Sequence, residues 1–171
     1  MRDPLSTQAH FSLSGVGAAC GVCGRDLASA GTRPARRVAW RCQTHFDSGA
    51  PITLVPLDAT NDVPLTVGFL NRLKSDRTTS AAEFVYRVLS ALEEDIRSGR
   101  RSFWDPLAAA VVSDEDLVTV EEIPLTVVEE ERPESGRTSE SEAGSRVRVA
   151  MTADSERFEQ MYLDTVNRRL P

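Results

Sequence analysis

An α/β fold is what this sequence predicts, and two observations carry the prediction. A short, β-branched apolar run at residues 51–57 is followed by stretches of helical periodicity. A second group of alternating segments then leads into a final amphipathic helix. Pro51-Ile52-Thr53-Leu54-Val55-Pro56-Leu57 reads as a buried strand, because it is short, nearly uncharged and rich in Ile, Val and Thr. Asp58-Ala59-Thr60-Asn61-Asp62 reads as the loop after it.

A first helix is expected from Leu65 to about Leu73, with Thr66 as its cap and Phe69, Leu70 and Leu73 as its apolar stripe. The second helix has a capping-box pattern, Ser80 followed by Glu83. Phe84, Val85, Val88, Leu89, Leu92 and Ile96 continue it at helical spacing, and Ser98-Gly99 ends it. Phe103-Trp104-Asp105-Pro106 opens a third, with Asp105 in the cap position and Pro106 in the first turn. Leu117–Glu122 and Pro124–Glu129 read as extended, with Leu125 and Val127 on one side and Thr126 and Val128 on the other. Arg132–Gly144 is a polar turn region and Arg146–Met151 a strand. Asp154 caps a last helix that carries Phe158, Met161, Tyr162, Leu163 and Val166.

Composition bounds the function classes. The chain has 171 residues, 40% hydrophobic and 27% charged, as expected of a globular domain. Its net charge of −6 gives no general attraction to nucleic acid or to anionic membranes. No apolar stretch is long enough to span a bilayer and no secretory leader is evident, so a cytoplasmic location is expected. Charge is unevenly spread: residues 1–48 carry six arginines against three acids, leaving 14 basic and 23 acidic residues for 49–171. All three cysteines and both histidines also lie in the first 48. The expected organisation is therefore a divergent segment, 1–45, poorly ordered or zinc-ribbon-like, followed by an α/β portion, 46–171.

Cys20-x2-Cys23 followed by Cys42-x2-His45 has the spacing of two ligand pairs for tetrahedral Zn²⁺. The other reading is of incidental cysteines in a segment without periodicity. For Glu121-Glu122 and Glu129-Glu130-Glu131, solvated strand ends are expected.

Three blocks also carry a resemblance. Gly49-Ala50-Pro51-Ile52-Thr53-Leu54-Val55-Pro56-Leu57-Asp58-Ala59-Thr60, then Phe103-Trp104-Asp105-Pro106-Leu107-Ala108-Ala109-Ala110, then Arg146–Met151 with Asp154–Phe158, resemble in order and spacing the C-terminal portion of the inosine/uridine-preferring nucleoside hydrolases. The resemblance implies a mostly parallel sheet flanked by helices, a nucleoside substrate, and hydrolysis of its N-glycosidic bond to ribose and free base. It also implies a bound Ca²⁺ that holds the attacking water. Asp105 matches a calcium ligand of the family, with a helix N-cap as its simpler role. Trp104 stands where members often have a histidine. An indole donates a hydrogen bond but does not titrate usefully, so stacking on a base is the role left to it, with core packing as the alternative. The family's Asp-rich DxDxGxDD loop has no counterpart in residues 1–48, where Asp3, Asp26 and Asp47 stand alone. No catalytic base is assigned. The expectation is a truncated member needing a complementing chain or self-association. A small zinc module fused to an α/β remnant that serves as an interaction domain is the alternative.

Overall fold

The alternation of strand-forming and helix-forming text translates into one mixed sheet with helices laid on it. The computed structural model describes residues 43–128 and 138–168, together with the backbone of 9–12 and 19–20. In chain order the elements are β1 (Ala9–Ser12), β2 (Ala19–Cys20), β3 (Thr53–Pro56), α1 (Leu57–Thr60), α2 (Val67–Asp76), α3 (Ser80–Ser90), α4 (Glu93–Arg97), α5 (Trp104–Val111), a 3-10 turn (Glu115–Leu117), β4 (Val118–Val127), β5 (Thr138–Glu140), β6 (Ser145–Ala153) and α6 (Ser155–Asn167). A helical turn at residues 43–46 precedes β3.

The strands lie in the order β2-β1-β3-β6-β4-β5. Only the β3–β6 pair is parallel, with Leu54 opposite Val149; the other described pairings are antiparallel. The α/β class and the helix-flanked sheet thus stand, while within this chain the sheet is mixed rather than mostly parallel. Two strands, β1 and β2, arise in a stretch whose sequence has no strand periodicity, and they extend the sheet beyond β3.

Successive strand residues point to opposite faces, and the core divides accordingly. On one face Val55 and Ala150 join Leu73, Phe69, Leu107, Phe103 and Phe158 beneath the helices. On the other, Leu54, Val147, Val149 and Leu125 pack with Ile52 and Phe46. Gln43 ties the start of this body to β4, its side-chain carbonyl accepting from the Val127 N–H at 2.8 Å.

Several elements depart from the sequence expectation. Strand β3 ends at Pro56, and Leu57–Thr60 form α1 where the end of the strand and the start of a loop are expected. Thr79, not Ser80, caps α3 and accepts from the Ala82 N–H at 3.0 Å. The expected second helix is broken at Ala91-Leu92 into α3 and α4. Val118–Val127 is one long strand rather than two segments, with Leu125 and Val127 buried on the same side. The polar stretch before β6 holds the short strand β5. Thr66 and Asp154 cap α2 and α6 as expected, accepting from Phe69 and Arg157 N–H groups at 3.0 Å. No helix among the described residues is long and apolar enough to cross a membrane.

The turn into β6 depends on a glycine for space. A Cβ added to Gly144 would lie 2.5 Å from the carbonyl carbon and oxygen of Leu125 in β4. Backbone cannot yield as a side-chain tip can. Gly144→Ala is therefore expected to cost about 1–3 kcal/mol as an overpacking substitution, lowering the urea midpoint. An unchanged midpoint would show that β4 and β6 separate freely at this end.

Candidate functional site

The N-terminus of α5 is where the sequence-derived candidates meet the structure. Segment 101–103 is stitched to segment 63–65 like two short antiparallel strands. The Phe103 N–H donates to the Val63 carbonyl at 3.0 Å and the Leu65 N–H to the Arg101 carbonyl at 2.9 Å, around a Pro64–Ser102 bridge. Asp95 anchors the same segment from α4, accepting from Arg100 at 2.5 Å and Arg101 at 2.7 Å. The Arg101 and Arg100 guanidiniums hold its carboxyl below the usual carboxylate range.

Phe103 is the packing anchor. It is buried, with its ring 4.8 Å from Phe69 in an edge-on contact and 5.1 Å from Phe158. Of the two candidate aromatics, Phe103 thus belongs to the core. Trp104 follows it and is only half-buried, but its indole nitrogen is buried and has no hydrogen-bond partner among the described residues. Asp105 comes next and is exposed. The helix begins at Trp104, with Phe103 in the cap position and no side-chain cap, so Asp105 lies in the first turn rather than capping. A carboxylate there is favoured by the helix dipole.

The remaining acids near this end have structural positions. Asp62 accepts from the Ala153 N–H at 3.2 Å and fixes the end of β6. Asp58 lies exposed in the first turn of α1. Asp114 caps the 3-10 turn and pairs with Arg157 at 2.8 Å. Glu115 pairs with Arg148 at 2.7 Å. Glu121 and Glu122 are exposed in mid-strand rather than at a strand end. Glu129, Glu130 and Glu131 lie outside the described residues.

Among the described residues no three His, Cys, Asp or Glu side chains come together to hold a metal ion. Calcium takes six to eight oxygen ligands, so Asp105 does not make a calcium site with the described residues alone. Of the zinc candidates, Cys23 and Cys42 lie outside the described residues and Cys20 is described by its backbone in β2. His45 sits half-buried in the helical turn at 43–46. The Val63–Leu65 strap and Asp95, which place Asp105, carry no sequence signal of that role.

A family model described as inosine-uridine preferring nucleoside hydrolase matches residues 42–160. Among solved structures, the chain is similar to the inosine-uridine preferring nucleoside hydrolase from Bacillus anthracis, with a TM-score of 0.66 and 26% identity, over 75% of this chain and 40% of that one. It is also similar to the purine-preferring ribonucleoside hydrolase from Gardnerella vaginalis, with a TM-score of 0.57 and 27% identity, over 73% of this chain and 42% of that one. The chain thus spans about two fifths of the length of these structures. A search of curated proteins gave no match.

Proposed function

The chain belongs to the inosine-uridine preferring nucleoside hydrolase family, and from that premise we propose that it supplies one wall of a nucleoside hydrolase site and releases no base by itself. The observation that carries this reading is the placement of Asp105. It is exposed in the first turn of α5, two residues after the buried Phe103, in a chain that spans about two fifths of its structural relatives.

The chemistry asked of such a site is cleavage of the bond between ribose and base through an oxocarbenium-like transition state. Negative charge near the ribose stabilises that state, and Asp105 offers it. In this reading Asp105 is also one calcium ligand, with the others coming from the part of the fold that lies outside the matched region. A calcium ion in such a site would lower the pKa of a bound water. Trp104 precedes Asp105 in sequence, and in this reading its indole ring is the group that stacks on the nucleobase. Its N–H cannot protonate the leaving base, so that proton comes from elsewhere.

The test is complementation. The purified chain should release no ribose from inosine, uridine or cytidine, with or without calcium. Mixed with a polypeptide carrying the Asp-rich N-terminal part of a family member, it should release ribose, and a calcium chelator should stop it. Steady, calcium-dependent release by the chain alone would overturn the reading.

A further inference from the structure

β3 has the character of an inner strand. Ile52, Thr53, Leu54, Val55 and Pro56 are all buried, the continuous run of a strand covered on both faces. Left at the edge of a sheet, such a strand is a template for pairing with another chain. One of its edges is taken by β6. There the Ile52 carbonyl accepts from the Arg148 N–H at 3.2 Å, and backbone groups alternate in direction along a strand. Leu54 therefore faces β6 as well, while Thr53 and Val55 turn their N–H and C=O groups to the other edge. Opposite them stand Ser12 and His10 of β1.

The strand on that second edge comes from outside the family. β1 and β2 precede the family match at residues 42–160. β1 has four residues, Ala9-His10-Phe11-Ser12, fewer than a usual strand, and none of them is β-branched. Its other described partner is β2, with two residues. A strand with so few pairings opens at low cost. β1 also touches α5, the helix whose first turn holds Asp105. A strand that took its place would lie beside the candidate site.

Building on the complementation reading above, we propose that the β3 edge opposite β6 is the docking edge for the complementing polypeptide, which adds a strand there, and that β1 is an internal strand that guards the edge until it is displaced. Main-chain hydrogen bonds to Thr53 and Val55 give such a partner its affinity, as in other cases of strand addition. While β1 is in place, the edge is closed to further copies of this chain as well. The partner must first displace β1, so its apparent affinity is reduced by the fraction of chains in which the edge is open.

Amide hydrogen exchange on the full, unaltered chain tests this, alone and mixed with the Asp-rich N-terminal polypeptide of the complementation assay. In the chain alone the N–H groups of His10, Ser12, Thr53 and Val55 should all be protected. On mixing, Thr53 and Val55 should stay protected while His10 and Ser12 exchange at least about tenfold faster. A chain with both His10→Pro and Ser12→Pro lacks the two N–H groups that β1 turns to β3. It should bind the polypeptide at least about tenfold more tightly in titration calorimetry, because the edge is already open. Circular dichroism checks that this variant folds, and if it does not, exchange in the unaltered chain decides. Ribose release by a mixture in which His10 and Ser12 stay protected would overturn the proposal and leave the complementation reading standing. Displacement of β1 without ribose release would support the proposal and overturn that reading. A polypeptide that does not bind would overturn both.

Discussion

Asp105→Ala is expected to lower ribose release by the complemented assembly by about 10²–10³-fold while leaving the thermal midpoint of this chain nearly unchanged. The two halves of that expectation have different sources. Asp105 is exposed in the first turn of α5, and surface substitutions away from caps and cores usually change stability by less than about 0.5 kcal/mol. Its contribution to the helix dipole is of similar size. The activity loss follows from its proposed role as a charged ligand and ribose-facing carboxylate. A fall of 10²–10³ corresponds to about 3–4 kcal/mol of transition-state stabilisation, which is in the range expected for loss of one charged group from a metal-assisted site. Asp105→Asn keeps an oxygen and loses the charge, so it should lie between the two. Groups that act as a unit lose their effects together. Adding a chelator to the Asp105→Ala assembly should therefore cost little more. An Asp105→Ala assembly that keeps its rate, or a chain whose stability falls by several kcal/mol, would show that this carboxylate is structural.

The elements that sequence reading finds are those where local and tertiary preferences agree. α2 and α6 each have a side-chain cap followed by an apolar stripe, and the structure uses both caps as written. Thr79 displaces Ser80 as the cap of α3 because its hydroxyl also donates to the Val166 carbonyl at 2.6 Å, a partner 87 residues away in sequence. The break between α3 and α4 is hidden because Leu92 and Ile96 continue the helical period across it. Strand β5 has the sequence Thr-Ser-Glu and no apolar alternation; what makes it a strand is its register against Leu125–Val127.

The candidate site divides in the same way. Asp105 and Trp104 are legible through the resemblance. The Val63–Leu65 strap that aims them is made of backbone hydrogen bonds, which any sequence compatible with the bridge would supply. Phe84 and Val88 belong to the helical apolar spacing that predicts α3, yet both are exposed, because periodicity counts apolar residues without saying how much of the arc the core will cover.

Phe158→Ala is expected to be the most damaging single change to the fold, costing about 3–5 kcal/mol. Phe158 is fully buried in α6, 5.1 Å from Phe103 and 5.9 Å from Tyr162, while Phe69 of α2 meets both Phe103 and Tyr162. Four aromatic rings from α2, the α5 entry and α6 therefore form one cluster. Aromatic pairs at these distances add about 0.5–1.5 kcal/mol each beyond the area they bury, and truncating Phe158 removes two of them and leaves a void. The other rings cannot close that void cheaply, since Phe103 is held by its backbone bond to Val63 and Phe69 lies one turn into the capped helix α2. Against a total stability of about 5–15 kcal/mol for a domain, the variant should be partly unfolded at 37 °C. Phe158→Leu, which restores most of the volume, should lose much less. The measurement is urea unfolding followed by circular dichroism on both variants. Because Phe103 precedes Trp104 and Asp105 directly, Phe158→Leu should also weaken ribose release by the complemented assembly more than its stability loss explains. A Phe158→Ala chain that loses less than about 1 kcal/mol would mean that α6 is not held by this cluster, and the α5 entry would then need another support.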